Sequence, residues 1–261
     1  MPGHLEAKVV LVTGGSSGIG RAVAARSLAE GAAVVIAARR SDVGERTAAE
    51  LRAAFDATGT AGGDVRFVAA DVTSEDQVAA LVDTTVRTFG RLDAAFNNAG
   101  DVVAPGPLPE IGTDDWHAEL AVNLTGVFHC LVHEIPALRA SGGGAIVNNA
   151  SLGGVRGIPG LSAYVAAKHG VVGLTRSAAL ECAADGVRVN ALVTGNVDTP
   201  LYRRLLGAAH DVDRADLDAP NPAGRVASPV EIAALVVHLF SDEAAFVTGA
   251  ALPIDGGATA G

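Results

Sequence analysis

Short apolar runs rich in Val, Ile and Ala alternate along the chain with longer stretches whose apolar positions recur at helical spacing. A strand buried on both faces reads as a continuous hydrophobic run, whereas a surface helix keeps an apolar stripe at every third or fourth residue. On that basis strands are expected at residues 8–13, 33–38, 65–70, 92–97, 144–149, 187–193 and 250–253. Helices are expected near 18–30, 42–58, 74–89, 113–140, 162–184 and 228–241, with Thr113, Ser162 and Ser228 as candidate N-caps. This alternation predicts an α/β fold, a parallel sheet with helices on both faces.

One segment breaks the rhythm. Residues 194–227 mix prolines and aspartates with a short amphipathic piece around Leu201 to Leu206, and exceed an ordinary connection in length. The segment follows the sixth strand, and ligands of open α/β sheets bind beyond the carboxyl ends of strands, so a substrate lid is expected. A surface loop without function is the alternative.

With 261 residues, 49% hydrophobic and 18% charged, and 32 glycines, the chain fits one domain spanning residues 1–261 around one core. The formal net charge of −10 argues against nucleic-acid and anionic-membrane partners. No stretch approaches the roughly 20 apolar residues of a membrane span. The early run VVLVTGG ends in glycines and reads as a first strand rather than a secretion signal, so a cytoplasmic protein is expected. Cys130 and Cys182 fall inside helical patterns and are read as core thiols. His129 and His133 lie four apart, a spacing that can bring two imidazoles to one metal, but no third ligand accompanies them and no metal site is expected.

Two motifs carry chemistry. After the first strand, TGGSSGIG spans Thr13 to Gly20, and a helical pattern follows. Gly14, Gly18 and Gly20 there permit a tight turn whose N–H groups, with those of Ser16, Ser17 and Ile19, can approach a pyrophosphate; alone, the motif could also be only a turn. Further on, YVAAK places Tyr164 and Lys168 four apart, with Ser151 upstream. On a helix such residues share a face at roughly 5–6 Å between Cβ atoms, so the ammonium can sit beside the phenol. Bringing a phenol from a pKa of about 10 to about 7 takes roughly 4 kcal/mol, which a fixed cation could largely supply. A tyrosine so tuned trades protons with a carbonyl or alcohol oxygen. By itself YxxxK is equally an edge-packed Tyr beside a solvated Lys.

Taken together, TGGSSGIG, Asp71-Val72, NNAG at 97–100, the NLTGVF run with Asn123, Ser151, YVAAK, RVNA at 188–191 and the terminal FVTG and DGG resemble the short-chain dehydrogenase/reductase family, in its shorter branch. The resemblance covers nearly the whole chain. It implies a Rossmann-type doubly wound sheet of about seven strands in the order 3-2-1-4-5-6-7, a nicotinamide cofactor, and a homotetramer or dimer. It also implies that Asp71 and Val72 flank the adenine. Further cofactor contacts are implied for Asn98, Ala99 and Gly100 and, after the sixth strand, for Gly195, Val197 and Thr199, together with Tyr164 and Lys168.

The catalytic set implied by the resemblance is Asn123, Ser151, Tyr164 and Lys168. Tyr164 would exchange the proton, Ser151 would hold the reacting oxygen, Lys168 would also bind the nicotinamide ribose, and Asn123 would position a water leading to Lys168. Two positions depart from the family pattern: Thr194-Gly195 stands where Pro-Gly is usual, and Asn149-Ala150-Ser151 lacks a serine before the catalytic one. At the end of the second strand the family's NAD-using members carry an acid, and here the residue is Ala38, followed by Arg39 and Arg40. Guanidinium forks without a nearby carboxylate suit a 2′-phosphate, so NADP is expected, with NAD as the alternative.

For the substrate, Ser151, Leu152, Gly153, Tyr164, Val193, Leu201, Tyr202 and Leu205 are candidate lining residues and favour a small or medium apolar ketone or secondary alcohol. Arg156 could meet a carboxylate or a carrier phosphate, or be merely solvated. The expected activity is NADP-dependent hydride transfer between cofactor and ketone or secondary alcohol. An NAD-dependent alcohol or sugar dehydrogenase and a 3-oxoacyl thioester reductase remain alternatives. An isomerase or dehydratase of the longer branch would need a C-terminal substrate domain for which little chain follows the last strand, and a regulator without turnover would not need the full catalytic set.

Overall fold

The computed structural model describes residues 3–57, 63–207 and 222–260. Seven strands, β1 (Val9–Thr13), β2 (Ala33–Ala38), β3 (Val65–Ala69), β4 (Ala94–Asn97), β5 (Gly144–Asn149), β6 (Val187–Thr194) and β7 (Ala251–Ile254), form one sheet in the order β3-β2-β1-β4-β5-β6-β7. Every pairing is parallel. The expected strand order is therefore observed, with boundaries shifted by at most two residues.

Alternate strand residues point to opposite faces, and each face has its own core. Val10, Val12, Val34, Ile36, Phe96 and Val147 pack against α1 (Gly18–Ala29), α2 (Ser41–Asp56) and α8 (Pro229–Phe240). Leu11, Val35, Ala95 and Ile146 pack against α3 (Glu75–Phe89), α5 (Gly126–Ala140) and α6 (Ser162–Cys182). All five residues of β1 are buried, which explains why its sequence shows no polar alternation.

The single helix expected over 113–140 is divided. α4 (Thr113–Leu120) leads into a π-helical turn at Ala121–Thr125, and only then does α5 begin. Such turns insert one extra residue into the helical ladder and re-aim the side chains they carry, here Asn123. Ser228 caps α8, its backbone N–H donating to the Glu231 carboxylate at 2.8 Å. Thr113 and Ser162 are instead the first helical residues, after Gly112 and Leu161. Of the expected lid, Pro200–Leu205 forms the short helix α7, while residues 208–221 lie outside the described residues, as does residue 58 of the second expected helix.

Cys130 and Cys182 are buried free thiols. His129 Nδ1 lies 2.9 Å from the Val72 carbonyl and His133 Nε2 lies 3.5 Å from the Glu75 carboxylate. Among the described residues no three metal-ligating side chains gather, and no helix is long and apolar enough to cross a membrane.

One polar chain crosses the apolar core. Thr175 Oγ1 accepts from Asn148 Nδ2 at 2.9 Å, Asn148 Oδ1 accepts from Asn97 Nδ2 at 3.0 Å, and Asn97 Nδ2 also donates to Glu134 at 2.9 Å. Glu134 is fully buried, and burial pushes its carboxyl up to about 7, opposed by the Asn97 hydrogen bond. A carboxyl held above its unfolded value binds an extra proton in the folded state, so its contribution to stability is lost as pH rises from the ordinary value of 4.5 through about 7. Glu134→Gln, a neutral mimic of the protonated group, is expected to match wild type near pH 5 and to melt higher near pH 8, by roughly 3 kcal/mol at most. Thermal melts across that range check this, and a mutant that loses stability in parallel with wild type contradicts it.

Candidate active site

A cleft of about 600 Å³ opens at the carboxyl ends of β1, β4, β5 and β6. It lies where the chain, having built β2 and β3 on one side of β1, crosses to build β4 on the other. Strand ends at such a switch point diverge and leave a crevice.

One wall is the glycine turn. Gly14 (φ +64°) and Gly18 (φ +52°) hold left-handed conformations, and a Cβ on Gly14 would lie 2.8 Å from Asn98 Nδ2. A Cβ on Gly20 would lie 2.4 Å from the Gly14 carbonyl, so α1 packs directly on the turn that precedes it. Ser17, at the N-cap of α1, makes no side-chain cap, and the first turn holds no acid. The N-terminus of α1 thus presents partial positive charge to the cleft beside Gly14, Ser16, Ser17, Gly18 and Ile19. These features fit the pyrophosphate of a dinucleotide.

Behind the glycines, the Thr13 hydroxyl accepts from the backbone N–H groups of Asn98 and Ala99 at 3.0 and 3.1 Å, tying β1 to β4. Asn98 donates to the Thr13 carbonyl at 3.1 Å and accepts from Asn149 Nδ2 at 3.0 Å. Asn149 Oδ1 in turn accepts from the Thr194 hydroxyl at 3.2 Å. Asn149 and Thr194, conspicuous in the sequence only as places where the motif pattern changes, are thus partners that join β4, β5 and β6 across the floor of the cleft.

The chemical wall gathers all four expected residues. Ser151 closes β5 and its Oγ accepts from the Gly153 N–H at 3.1 Å, which leaves the hydroxyl proton free to donate elsewhere. Ser151 therefore caps a turn and faces the cleft at once. Lys168 is 4% exposed and donates to the Asn149 carbonyl at 2.9 Å, with Nζ 5.5 Å from the centre of the Tyr164 ring. Asn123 is fully buried on the π turn; its Nδ2 donates to the Asp101 carbonyl at 2.7 Å, and its Oδ1 accepts from the Asp101 N–H at 3.2 Å.

Electrostatics here differ from the sequence expectation. Burial pushes the Tyr164 phenol up to about 12, a hydrogen bond with Ser151 opposes this, and the carboxylates of Glu119 and Asp101 add to the rise. Burial lowers the Lys168 ammonium to about 8, and Glu119 opposes that fall. Lys168 lies beside Tyr164 as the spacing predicts, but the protein alone keeps the tyrosine protonated.

Asn98, Ala99, Gly100, Gly195, Val197 and Thr199 line the cleft, as do Leu152, Leu201, Tyr202 and Leu205. Thr199 caps α7, its hydroxyl accepting from the Tyr202 N–H at 3.2 Å. Five expected cofactor residues stand apart from this cleft. Gly20 is packed behind the turn, Arg39 and Arg40 are exposed beyond β2, Asp71 accepts from Thr73 Oγ1 at 2.8 Å, and Val72 is buried against Gly126. Two expected substrate positions also fall away: Gly153 is buried under Ser151, and Val193 lies wholly inside β6. Ile158, Leu161, Pro222 and Ala258 join the lining instead. Arg156 donates to the Ala258 carbonyl at 2.7 Å. The C-terminal contact could not be read from a local pattern, because Arg156 and Ala258 are remote in sequence.

A parallel sheet with a glycine-lined helix N-terminus at its switch point, beside a buried Ser and Lys and a partly buried Tyr, defines a dinucleotide-binding oxidoreductase of Rossmann type. A family model described as enoyl-(acyl carrier protein) reductase matches residues 14–259. The 2,5-dichloro-2,5-cyclohexadiene-1,4-diol dehydrogenase of Sphingobium indicum is 42% identical over 257 residues, 98% of each chain. The cis-4-hydroxycyclohexanecarboxylate dehydrogenase of Sinomonas cyclohexanicum is 46% identical over 254 residues, 97% of each chain. The crystal structure of levodione reductase superposes with a TM-score of 0.90 at 39% identity, covering 98% of this chain and 99% of that one. The chain belongs to the short-chain dehydrogenase/reductase family and is a nicotinamide-dependent enzyme acting on CH–OH or C=O groups.

Because Gly14 combines a positive φ with the close approach of Asn98, Gly14→Ala is expected to lower stability by about 1–3 kcal/mol and to weaken nicotinamide dinucleotide binding. Melting and fluorescence titration check this, and unchanged affinity would remove the turn from the binding surface.

Proposed function

We propose that the protein is an NADP-dependent oxidoreductase that interconverts a small cyclic secondary alcohol and its ketone, with Tyr164 exchanging the substrate proton. The observation that carries this reading is the convergence of Ser151, Tyr164 and Lys168 on one cleft with the glycine turn. When bound, the cofactor supplies hydride exchange at C4 of its nicotinamide.

Each residue then has a defined task. Ser151, its oxygen already occupied by the Gly153 N–H, donates to the substrate oxygen and stabilises the charge that grows there. Tyr164 carries its proton at neutral pH, as a donor to a carbonyl must, and because burial pushes its phenol up to about 12, releasing that proton requires positive charge brought beside it in the loaded site. Lys168 leaves or shares the Asn149 carbonyl to hydrogen-bond the nicotinamide ribose, and its ammonium supports the phenolate that remains. Asn123, on a turn whose π geometry alters the backbone ladder, is suited to order a water leading to Lys168.

The remaining lining favours a small ring. Leu152, Ile158, Leu161 and Leu205 supply apolar surface in the same cleft as the Ser151 and Tyr164 hydroxyls. The two relatives named above for their substrates act on a cyclohexadiene diol and a hydroxycyclohexane carboxylate.

Cofactor choice is carried by the end of β2. Ala38 supplies no carboxylate, and the exposed Arg39 and Arg40 side chains form no hydrogen bond or ion pair among the described residues. Two free guanidinium groups there suit a 2′-phosphate.

Tyr164→Phe is expected to reduce ketone turnover by more than a hundredfold while leaving cofactor affinity near normal; a retained rate in a cyclohexanone reduction assay would remove Tyr164 from the chemistry. Arg39→Asp is expected to shift preference toward NAD by roughly ten- to a hundredfold, the worth of one charge-assisted hydrogen bond. Titration with NADPH and NADH reads the shift, and none would place phosphate recognition elsewhere.

A further inference from the structure

α4 buries only one of its residues, and that residue is an acid. Glu119 is fully buried, while its neighbours on the helix remain at least partly exposed. Its Oε2 accepts from the backbone N–H groups of Val103 and Ala104 at 2.7 and 2.9 Å. Its Oε1 accepts from Asn123 Nδ2 at 2.6 Å. Donors alone surround it, the pattern that an ionised carboxylate fills. Burying a carboxylate is costly unless every lone pair is used and a cation is near, so a single apolar residue would have packed α4 more simply.

What these bonds hold is the substrate side of the site. Val103 and Ala104 continue the loop whose Asp101 and Val102 line the cleft. Asn123 is clamped between Glu119 and the Asp101 peptide, and its Oδ1 lies 2.8 Å from where a Cβ of Gly100 would stand, with Lys168 Nζ 3.6 Å from the same point. The Asn123 amide cannot reverse without setting its NH₂ against the Asp101 N–H.

We propose that Glu119 is a positioning residue of this reaction, whose carboxylate fixes Asn123 and the 101–104 backbone and supplies the negative charge that keeps the buried Lys168 in its ammonium form. The inference rests on the role for Lys168 given above. The groups facing Lys168 leave this task to Glu119. Tyr164, on the same helix, is neutral; Asn123 and the Asn149 carbonyl carry no net charge; and Asp101 is ion-paired with Arg204 of α7. Opposition by Glu119 to the burial-driven fall of Lys168 agrees with this arrangement.

The test compares the wild type, Glu119→Gln, Glu119→Asp and Lys168→Ala, measuring NADPH dissociation constants and cyclohexanone-reduction kcat from pH 6 to pH 10. Glutamine is isosteric but must turn an NH₂ toward a donor and carries no charge. It should lower kcat roughly ten- to a hundredfold and move the alkaline loss of NADPH affinity to lower pH. Aspartate keeps the charge and shortens the reach, so it should lower kcat while leaving the alkaline limb near its wild-type position. A purely structural role predicts the same limb for all folded variants. Wild-type kcat and limb in Glu119→Gln overturn the proposal, as does a limb that moves to lower pH in Glu119→Asp; this second result applies even if Glu119→Gln does not fold. If Lys168→Ala keeps the wild-type limb, the role of Lys168 falls first, and the charge assigned to Glu119 falls with it.

Discussion

A buried ammonium organises this structure. Lys168 sits in the second turn of α6 at 4% exposure, and placing such a charge in a protein interior costs several kcal/mol unless it is hydrogen-bonded and neutralised. The Asn149 carbonyl at the end of β5 accepts one of its protons. That contact ties α6, with Tyr164 one turn earlier, to the end of β5, with Ser151 just beyond it. The neighbouring Glu119 satisfies the second requirement. Several irregular features lie around the site: the π turn at Ala121–Thr125, the positive-φ glycines 14 and 18, and the polar chain Thr194–Asn149–Asn98.

The same constraint connects the two ends of the cleft. Asn149 accepts from Lys168 through its backbone and, through its side chain, reaches Asn98, which holds the carbonyl of Thr13 just before the glycine turn. The strand end before the glycine turn is therefore linked to Lys168 by three hydrogen bonds through Asn98 and Asn149. Thr194, which lacks the rigid φ of a proline, compensates by anchoring its hydroxyl to Asn149. Nothing in the structure explains the alanine at position 150.

Much of the fold was legible because hydrophobic periodicity reports burial directly: β1 and β2 are buried on both faces and read as nearly continuous apolar runs. The catalytic set was legible because Tyr164 and Lys168 share one helix and spacing fixes their neighbourhood. Less legible were features that depend on contacts between remote segments. The π turn leaves no signature in the apolar pattern, since Ala121 to Thr125 reads as an ordinary helical stretch. Glu119 looked like one more polar residue of a surface helix, because nothing local reveals that the 103–104 backbone approaches it. The acidity of Tyr164 was misjudged for a related reason: spacing brought in the cation, but only the packed structure reveals the desolvation and the carboxylates that oppose it.

The most direct test is the ionisation of Tyr164 itself, followed by ultraviolet absorbance. Tyr164 and Tyr202 are the only two tyrosines, so in a Tyr202→Phe background every phenolate signal belongs to Tyr164. With no cofactor, little phenolate should appear at about pH 10, where a solvated phenol is half ionised. Addition of oxidised cofactor, which places positive charge beside the phenol and recruits Lys168, should bring the transition down toward neutral pH. A titration near 10 that cofactor leaves unmoved would contradict the account, because Tyr164 would then be an ordinary solvated tyrosine with no place in the proton exchange.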